Sequence, residues 1–189
     1  MRVLRDKPFY ESSGGGVTLS GGEALSQIDF AVEFLRSCKE AGLDAALDTT
    51  GYAPRSAVER VAPYVDLYLY DLKHMNSARH KQACGVPNEL ILDNARYIAS
   101  IGGKMQVRIP LIPLFNDSEE NMRATAAFCK ELGDAVKTVQ LLPYHTLGIS
   151  KYARLQYDEK VFAAEPVSDT RAEELATYFR DEGLPTVIH

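Results

Sequence analysis

The 189 residues contain no tryptophan, four histidines and three cysteines. Cys38, Cys84 and Cys129 stand 46 and 45 positions apart, an odd count at a spacing that gives neither a disulfide framework nor a Cys-x-x-Cys metal hook. Reduced, buried thiols are what that spacing predicts. No run of about 18 apolar residues occurs, and Met1-Arg2-Val3-Leu4-Arg5-Asp6 lacks the apolar centre of a signal peptide. A cytoplasmic protein that does not enter a membrane is the expectation. A long Lys/Arg cluster is also missing and the net charge is −5, which argues against nucleic acid or an anionic membrane as the main partner.

What is present suits one domain over residues 1–189, because 46% hydrophobic residues in a chain of this length supply a sizeable core. Glycine punctuates it. Ser12-Ser13-Gly14-Gly15-Gly16-Val17-Thr18-Leu19-Ser20-Gly21-Gly22-Glu23 reads as a short strand that opens into a bare backbone turn and ends in an acid. Gly21 and Gly22 let a ligand approach the main chain, and Glu23 can accept hydrogen bonds from a cationic or polar group.

Beyond the turn, helical and extended patterns alternate. Leu25, Ile28, Val32, Leu35 and Cys38 recur at helical spacing and stop at Gly42. Ala45 to Thr49 reads as a strand, Pro54 starts a helix through Val58 and Val61, and Val65 to Leu72 reads as a tyrosine-rich strand. Asn88 is placed to cap a helix that ends at Gly102 and Gly103, and Met105 to Ile112 is the next strand. Asp117 with Glu120 has the form of a capping box, followed by a helix and a strand near Val136 to Leu142. A last helix spans about Ser168 to Glu182, and Pro185 to Ile188 can add a short strand. These are repeated βα units of the α/β class, about five of them, too few for a closed eightfold barrel of about 250 residues. The expected architecture is a partial, open parallel βα barrel.

In such folds ligands sit at the carboxyl ends of the strands. Those positions hold Gly21-Gly22-Glu23, Asp48-Thr49, Asp71-Leu72-Lys73, Arg108 and Pro143-Tyr144-His145. Asp71 and Lys73, two apart on an extended chain, project to one face. Together they could grip a zwitterion, the acid taking an ammonium and the amine a carboxylate, or form a surface ion pair. Asp48-Thr49 fits part of a cation site or the cap of the next helix. Arg108, a cation in an apolar strand, needs an anionic partner. His145 follows a proline turn as an exposed imidazole or a structural one. Lys73 alone would also suit a Schiff-base enzyme, although the adjacent Asp71 works against a lowered lysine pKa.

From about Phe9 to Tyr152 the chain resembles the activating enzymes of glycyl radical enzymes, the pyruvate formate-lyase activating group of the radical S-adenosylmethionine superfamily. The resemblance rests on Ser13 to Glu23, Leu47-Asp48-Thr49-Thr50-Gly51-Tyr52, Tyr70-Asp71-Leu72-Lys73 and Leu141-Leu142-Pro143-Tyr144-His145, in this order and each at a strand end. It implies a partial barrel binding S-adenosylmethionine beside a four-iron four-sulfur cluster. It also implies a glycyl radical enzyme as partner and flavodoxin or ferredoxin as electron donor. By the same resemblance Gly21, Gly22 and Glu23 hold the methionyl amine. Asp71, Leu72 and Lys73 meet its ammonium and carboxylate. Arg108 meets the carboxylate or ribose, and His145 the ribose or adenine. Asp48, Thr49, Asp71 and the Leu69 carbonyl gather a monovalent cation in some members.

One departure is large. The family's Cys-x3-Cys-x2-Cys is missing, and three scattered cysteines cannot substitute for it. The expectation is therefore a S-adenosylmethionine-binding core whose cluster belongs to a longer parent, unable alone to reduce its ligand, with an exposed first-strand edge. A cluster-free binding module is the alternative. Pyruvate formate-lyase, glycerol or diol dehydratases, choline lyase and aromatic decarboxylases are all activated by relatives, and no residue here chooses among them.

Overall fold

Burial alternates strictly along two strands, β2 (Ala45–Thr49) and β4 (Met105–Leu111), with every second residue buried and the others half-buried. That period-2 pattern puts Leu47, Val107 and Ile109 against the helices and turns Asp48 and Arg108 to the opposite face. The computed structural model describes residues 2–144 and 165–189. With β1 (Val17–Leu19), β3 (Leu67–Asp71), β5 (Val136–Pro143) and β6 (Thr186–Ile188), the strands form one parallel sheet in the order β1-β2-β3-β4-β5-β6. Each strand pairs with its sequence neighbours, so every link is a crossover in the same direction. Right-handed crossovers without a reversal of order stack the helices on one side, the winding of an open barrel rather than of a doubly wound sheet. The α/β open parallel barrel read from the sequence is what the chain forms, with six strands among the described residues rather than about five.

The helices are α1 (Lys7–Ser13), α2 (Ile28–Glu40), α3 (Arg55–Val61), α4 (Ser77–Cys84), α5 (Glu89–Ser100), α6 (Glu119–Glu131) and α7 (Asp169–Arg180). Each of the longer ones buries one apolar stripe. In α2 it is Ala31, Leu35 and Cys38, and a wholly buried leucine such as Leu35 contributes about 1.5–3 kcal/mol. No helix of the described residues is long and apolar enough to cross a membrane. Among the described residues β1 pairs with β2 alone and stands at one end of the strand order.

Two caps differ from expectation. Asn88 stands at the start of α5, but its side chain leaves the helix and donates to the carbonyls of His74 (2.9 Å) and Met75 (2.8 Å). Ser118, not Asp117, caps α6 by accepting from Asn121 N, while Asp117 accepts from Leu114 N at 2.8 Å. In both places a neighbouring loop captures the side chain instead of the helix end, Asn88 by donating to two carbonyls and Asp117 by closing the turn at Leu114. α1 and α4 were not foreseen; α4 buries only His80 and so lacks an apolar stripe to betray it.

Candidate functional site

The carboxyl end of β1 runs through Ser20 into Gly21, which adopts φ +116°, a conformation that favours glycine. A Cβ built at Gly21 or Gly22 would meet nothing within 4 Å, so this backbone edge is bare toward the rim. Glu23 anchors the turn. Its Oε1 accepts from Leu25 N (3.1 Å) and Thr49 Oγ1 (2.6 Å), and its Oε2 from Thr50 N (2.9 Å) and Thr50 Oγ1 (2.7 Å). Four donors fill the roughly four acceptor positions of a carboxylate, so Glu23 pins the end of β1 to the end of β2. Thr49 also accepts from Gly51 N at 2.9 Å, and neither Asp48 nor Thr49 caps α3, which starts from Pro54 without a side-chain cap.

Arg108 reaches along the inner face of the sheet to two carboxylates. Its Nε donates to Asp71 Oδ1 (2.9 Å), its Nη2 lies 2.8 Å from the same oxygen, and Nη1 and Nη2 reach Asp48 Oδ2 and Oδ1. Asp48 Oδ2 also accepts from Ser20 Oγ at 2.8 Å. The three strands β2, β3 and β4 are thereby tied at their ends by one guanidinium, the anionic pairing that an arginine in an apolar strand requires. Burial pushes the Asp71 carboxyl above its ordinary value against the pull of Arg108, while burial opposes and the two aspartates together outweigh it to hold Arg108 more firmly protonated.

Lys73 follows two residues after Asp71, and both line one cavity with Glu23. The Lys73 ammonium makes no ion pair among the described residues, whereas the Leu72 side chain between them is 3% exposed and packs in the core, leaving its backbone alone for the site. Three buried asparagines hold the segment that carries Lys73. Asn116 Nδ2 donates to the carbonyls of Lys73 (2.8 Å) and Pro110 (2.7 Å), and its Oδ1 accepts from Ile112 N (2.8 Å). Asn121 Oδ1 accepts from Met75 N at 2.9 Å, and Asn88 takes the next two carbonyls as described above. The carbonyls of Lys73, His74 and Met75 are thus all fixed by amide donors from elsewhere in the chain. Sequence reading gave no site role to Ser20, Thr50 or Asn116, although Ser20 and Thr50 lie within the motifs that carry the resemblance.

The rim thus gathers Gly21, Gly22, Glu23, Asp48, Thr49, Asp71, Lys73 and Arg108; His145 lies outside the described residues. Such a rim can take a ligand carrying both an ammonium and a carboxylate against a bare main-chain edge. It offers nothing for an iron–sulfur cluster. The chain's three thiols sit on three helices, with Cys38 and Cys129 wholly buried and Cys84 exposed, and burial pushes Cys129 up to about 12. Among the described residues no three His, Cys, Asp or Glu side chains gather to hold a metal ion.

Residues 7–126 match the Radical SAM superfamily. The chain is 40% identical over 188 residues to the choline trimethylamine-lyase activating enzyme of Oleidesulfovibrio alaskensis, a match covering 98% of this chain and 61% of that protein. It is 38% identical over 180 residues to the pyruvate formate-lyase-activating enzyme of Clostridium pasteurianum, covering 95% of this chain and 75% of that one. A solved domain of pyruvate-formate lyase-activating enzyme from Bacteroides vulgatus ATCC 8482 superposes with a TM-score of 0.78 at 34% identity, covering 93% of this chain and 99% of that domain. The chain spans 61% and 75% of the length of these two curated relatives. A six-stranded sequential parallel sheet with its polar groups gathered at one rim, matched at these identities, belongs to the radical SAM superfamily, in the group of activating enzymes for glycyl radical enzymes.

Proposed function

We propose that this chain is the S-adenosylmethionine-binding core of a glycyl radical enzyme activase. The observation that carries the reading is that Asp71, at the end of β3, and Lys73, two residues on, line one cavity with Glu23, the residue after the bare Gly21-Gly22 edge, while Arg108 pairs with Asp71. Glu23, Asp48 and Asp71 face Lys73 and Arg108, leaving one net negative charge at the rim. S-adenosylmethionine is a zwitterion with an added sulfonium, one net positive charge, so the two are complementary.

In this reading Asp71 accepts from the ligand's ammonium and Lys73 donates to its carboxylate. The Gly21-Gly22 main chain lies against the amine, and Arg108 meets the carboxylate or ribose. Asp48 and Thr49 orient the neighbouring groups and, with Asp71 and the Leu69 carbonyl, are candidates for a monovalent cation. His145 is assigned to the ribose or adenine by resemblance. Glu23 acts chiefly by fixing the glycine edge, since its acceptors are filled from within the protein.

The superfamily uses S-adenosylmethionine with a four-iron four-sulfur cluster, whose electron generates a 5′-deoxyadenosyl radical. The three scattered thiols do not fit such a cluster, so no step of that chemistry is assigned to these residues. The proposed division is that these residues bind and orient, while cluster ligands and an electron donor such as flavodoxin or ferredoxin complete the parent's reaction on a partner glycine. The missing thiols equally suit a cluster-free binding module; the Schiff-base reading of Lys73 finds no support in the relatives.

Calorimetric titration with S-adenosylmethionine decides the matter. Binding that falls at least tenfold in Asp71→Asn and Lys73→Ala is expected, and no heat at millimolar ligand would overturn the reading. Iron and sulfide reconstitution under anaerobic conditions should give no cluster absorbance and, with dithionite, no 5′-deoxyadenosine.

A further inference from the structure

α5 buries Ile91, Asn94, Ala95 and Ile98, so an amide stands in the middle of an otherwise apolar stripe. Asn94 is wholly buried, and such a group in a core is costly unless its hydrogen-bonding capacity is used. It is used on the turn after β2. Asn94 Nδ2 donates to the carbonyls of Gly51 (2.9 Å) and Ala53 (2.8 Å), and its Oδ1 accepts from Arg55 Nε (2.9 Å). Arg55 is itself held, donating to the Asp93 carbonyl at 2.8 Å and lying over the face of Tyr97 with its Cζ 4.4 Å from the ring centroid. With Oδ1 given to Arg55, both amide N–H groups face the two carbonyls.

The other side of this turn holds the rim. Gly51 N donates to Thr49 Oγ1, which donates to Glu23, and Thr50 gives Glu23 both its N–H and its hydroxyl. Glu23 directly follows the Gly21-Gly22 edge. Resting on the reading that this edge receives S-adenosylmethionine, we infer that Asn94 is a positioning residue of the binding site. It does not line the rim cavity and acts through the Gly51–Ala53 turn and Glu23. An apolar residue at this position would suit the stripe but withdraw both donors from the buried carbonyls. The turn would then shift, carrying Thr49 and Thr50 with it and loosening the hold on Glu23. The amide in the apolar stripe is thus explained by the rim, not by the core.

Calorimetry with S-adenosylmethionine compares the native chain with Asn94→Ala and with Ile98→Ala, a control one turn further along the same buried stripe. Asn94→Ala should bind at least tenfold more weakly. Ile98→Ala should bind within twofold of the native chain although its urea midpoint falls at least as far, because it empties core volume without touching the turn. Hydrogen exchange followed by NMR gives a measure that needs no ligand. The Leu25 and Thr50 amides, both donors to Glu23, should exchange at least tenfold faster in Asn94→Ala than in Ile98→Ala. Equal effects in the two variants, or affinity and exchange in Asn94→Ala within twofold of the native chain, would reduce Asn94 to a core residue and overturn the proposal. If Asn94→Ala fails to fold by circular dichroism, Arg55→Met removes the group that orients the amide and should weaken binding about threefold; unchanged affinity would overturn the proposal equally. If the native chain itself gives no heat, the functional reading falls separately, and exchange at Leu25 and Thr50 alone decides whether Asn94 fixes the edge.

Discussion

Gly51→Ala is the substitution for which the geometry fixes the outcome most tightly. Gly51 adopts φ +72°, and an added Cβ would lie 1.8 Å from Tyr70 Oη and 2.3 Å from its Cζ. The left-handed backbone alone costs an L residue about 1–2 kcal/mol. Tyr70 is wholly buried and donates to the Ile91 carbonyl at 2.6 Å, so pushing its ring aside breaks a buried hydrogen bond at a further cost of about 1–3 kcal/mol. The reduced entropy of the unfolded chain returns about 0.4–1 kcal/mol. The sum is a loss of about 2–4 kcal/mol, a large part of a typical stability of about 5–15 kcal/mol. Gly102 is the control, because it has φ +77° and nothing within 4 Å of an added Cβ. Urea denaturation should therefore show Gly102→Ala losing only the backbone cost, with Gly51→Ala at least about 1 kcal/mol worse at unchanged m-value. Equal losses in the two variants would refute the steric argument. The effect reaches function, because Gly51 N donates to Thr49 Oγ1, which in turn donates to Glu23.

Arg108, Asn116 and Cys84 each give a further expected outcome. Arg108→Gln leaves Asp48 and Asp71 facing each other without their cation, and we expect a loss of about 2–3 kcal/mol at pH 8 that shrinks toward pH 5. The sign follows from Asp71. Its folded pKa is already raised by burial, so its favourable contribution is present at low pH and is lost as pH rises through that value; a loss that grew on acidification in urea melts would contradict this. Asn116→Ala removes two donors and one acceptor from half-buried backbone partners and should cost about 2–3 kcal/mol. It should also weaken S-adenosylmethionine by calorimetry, with Asn116→Asp restoring neither donor. Maleimide should label one thiol of three in the native chain, at a rate that climbs about tenfold per pH unit from pH 7 to 8.5 without levelling, because burial raises the Cys84 thiol above its ordinary value; an early plateau would show a lowered pKa instead.

The repeating βα pattern was legible because β1, β2, β4 and β5 have a glycine or proline at or within two residues of their ends (Gly21, Gly51, Pro113, Pro143) and each long helix carries an apolar stripe. Asp71, Lys73 and Arg108 were legible for another reason: a charge in an apolar strand needs an explanation whatever the fold. α4 was not legible, since a solvated eight-residue helix has no periodicity to read. The roles of Asn88 and Asp117 were misread because local capping and long-range carbonyl capture use the same side chains, and only tertiary placement decides between them. Glu23 looked like a ligand acceptor in isolation, yet the four donors that surround it come mostly from residues 26 and 27 positions away.

Those contacts change how the site should be regarded. If the rim were a set of side chains waiting for a ligand, its acids would stand free. Instead Glu23 is saturated and Arg108 holds Asp48 and the Oδ1 of Asp71 together, so the groups open without rearrangement among the described residues are Lys73, the second oxygen of Asp71 and the Gly21-Gly22 edge. Under the proposed function, a zwitterion places its ammonium at the open oxygen of Asp71 and its carboxylate at Lys73, and the Arg108 pairs stay in place. No charge-assisted pair is broken, which keeps the cost of entry low in a half-buried site. In that reading a ligand with the carboxylate but no ammonium leaves the second oxygen of Asp71 without a cation, so selection of an intact amino-acid moiety rests on the pairing of Asp71 with Lys73 and should show as weaker binding of the deaminated analogue by calorimetry.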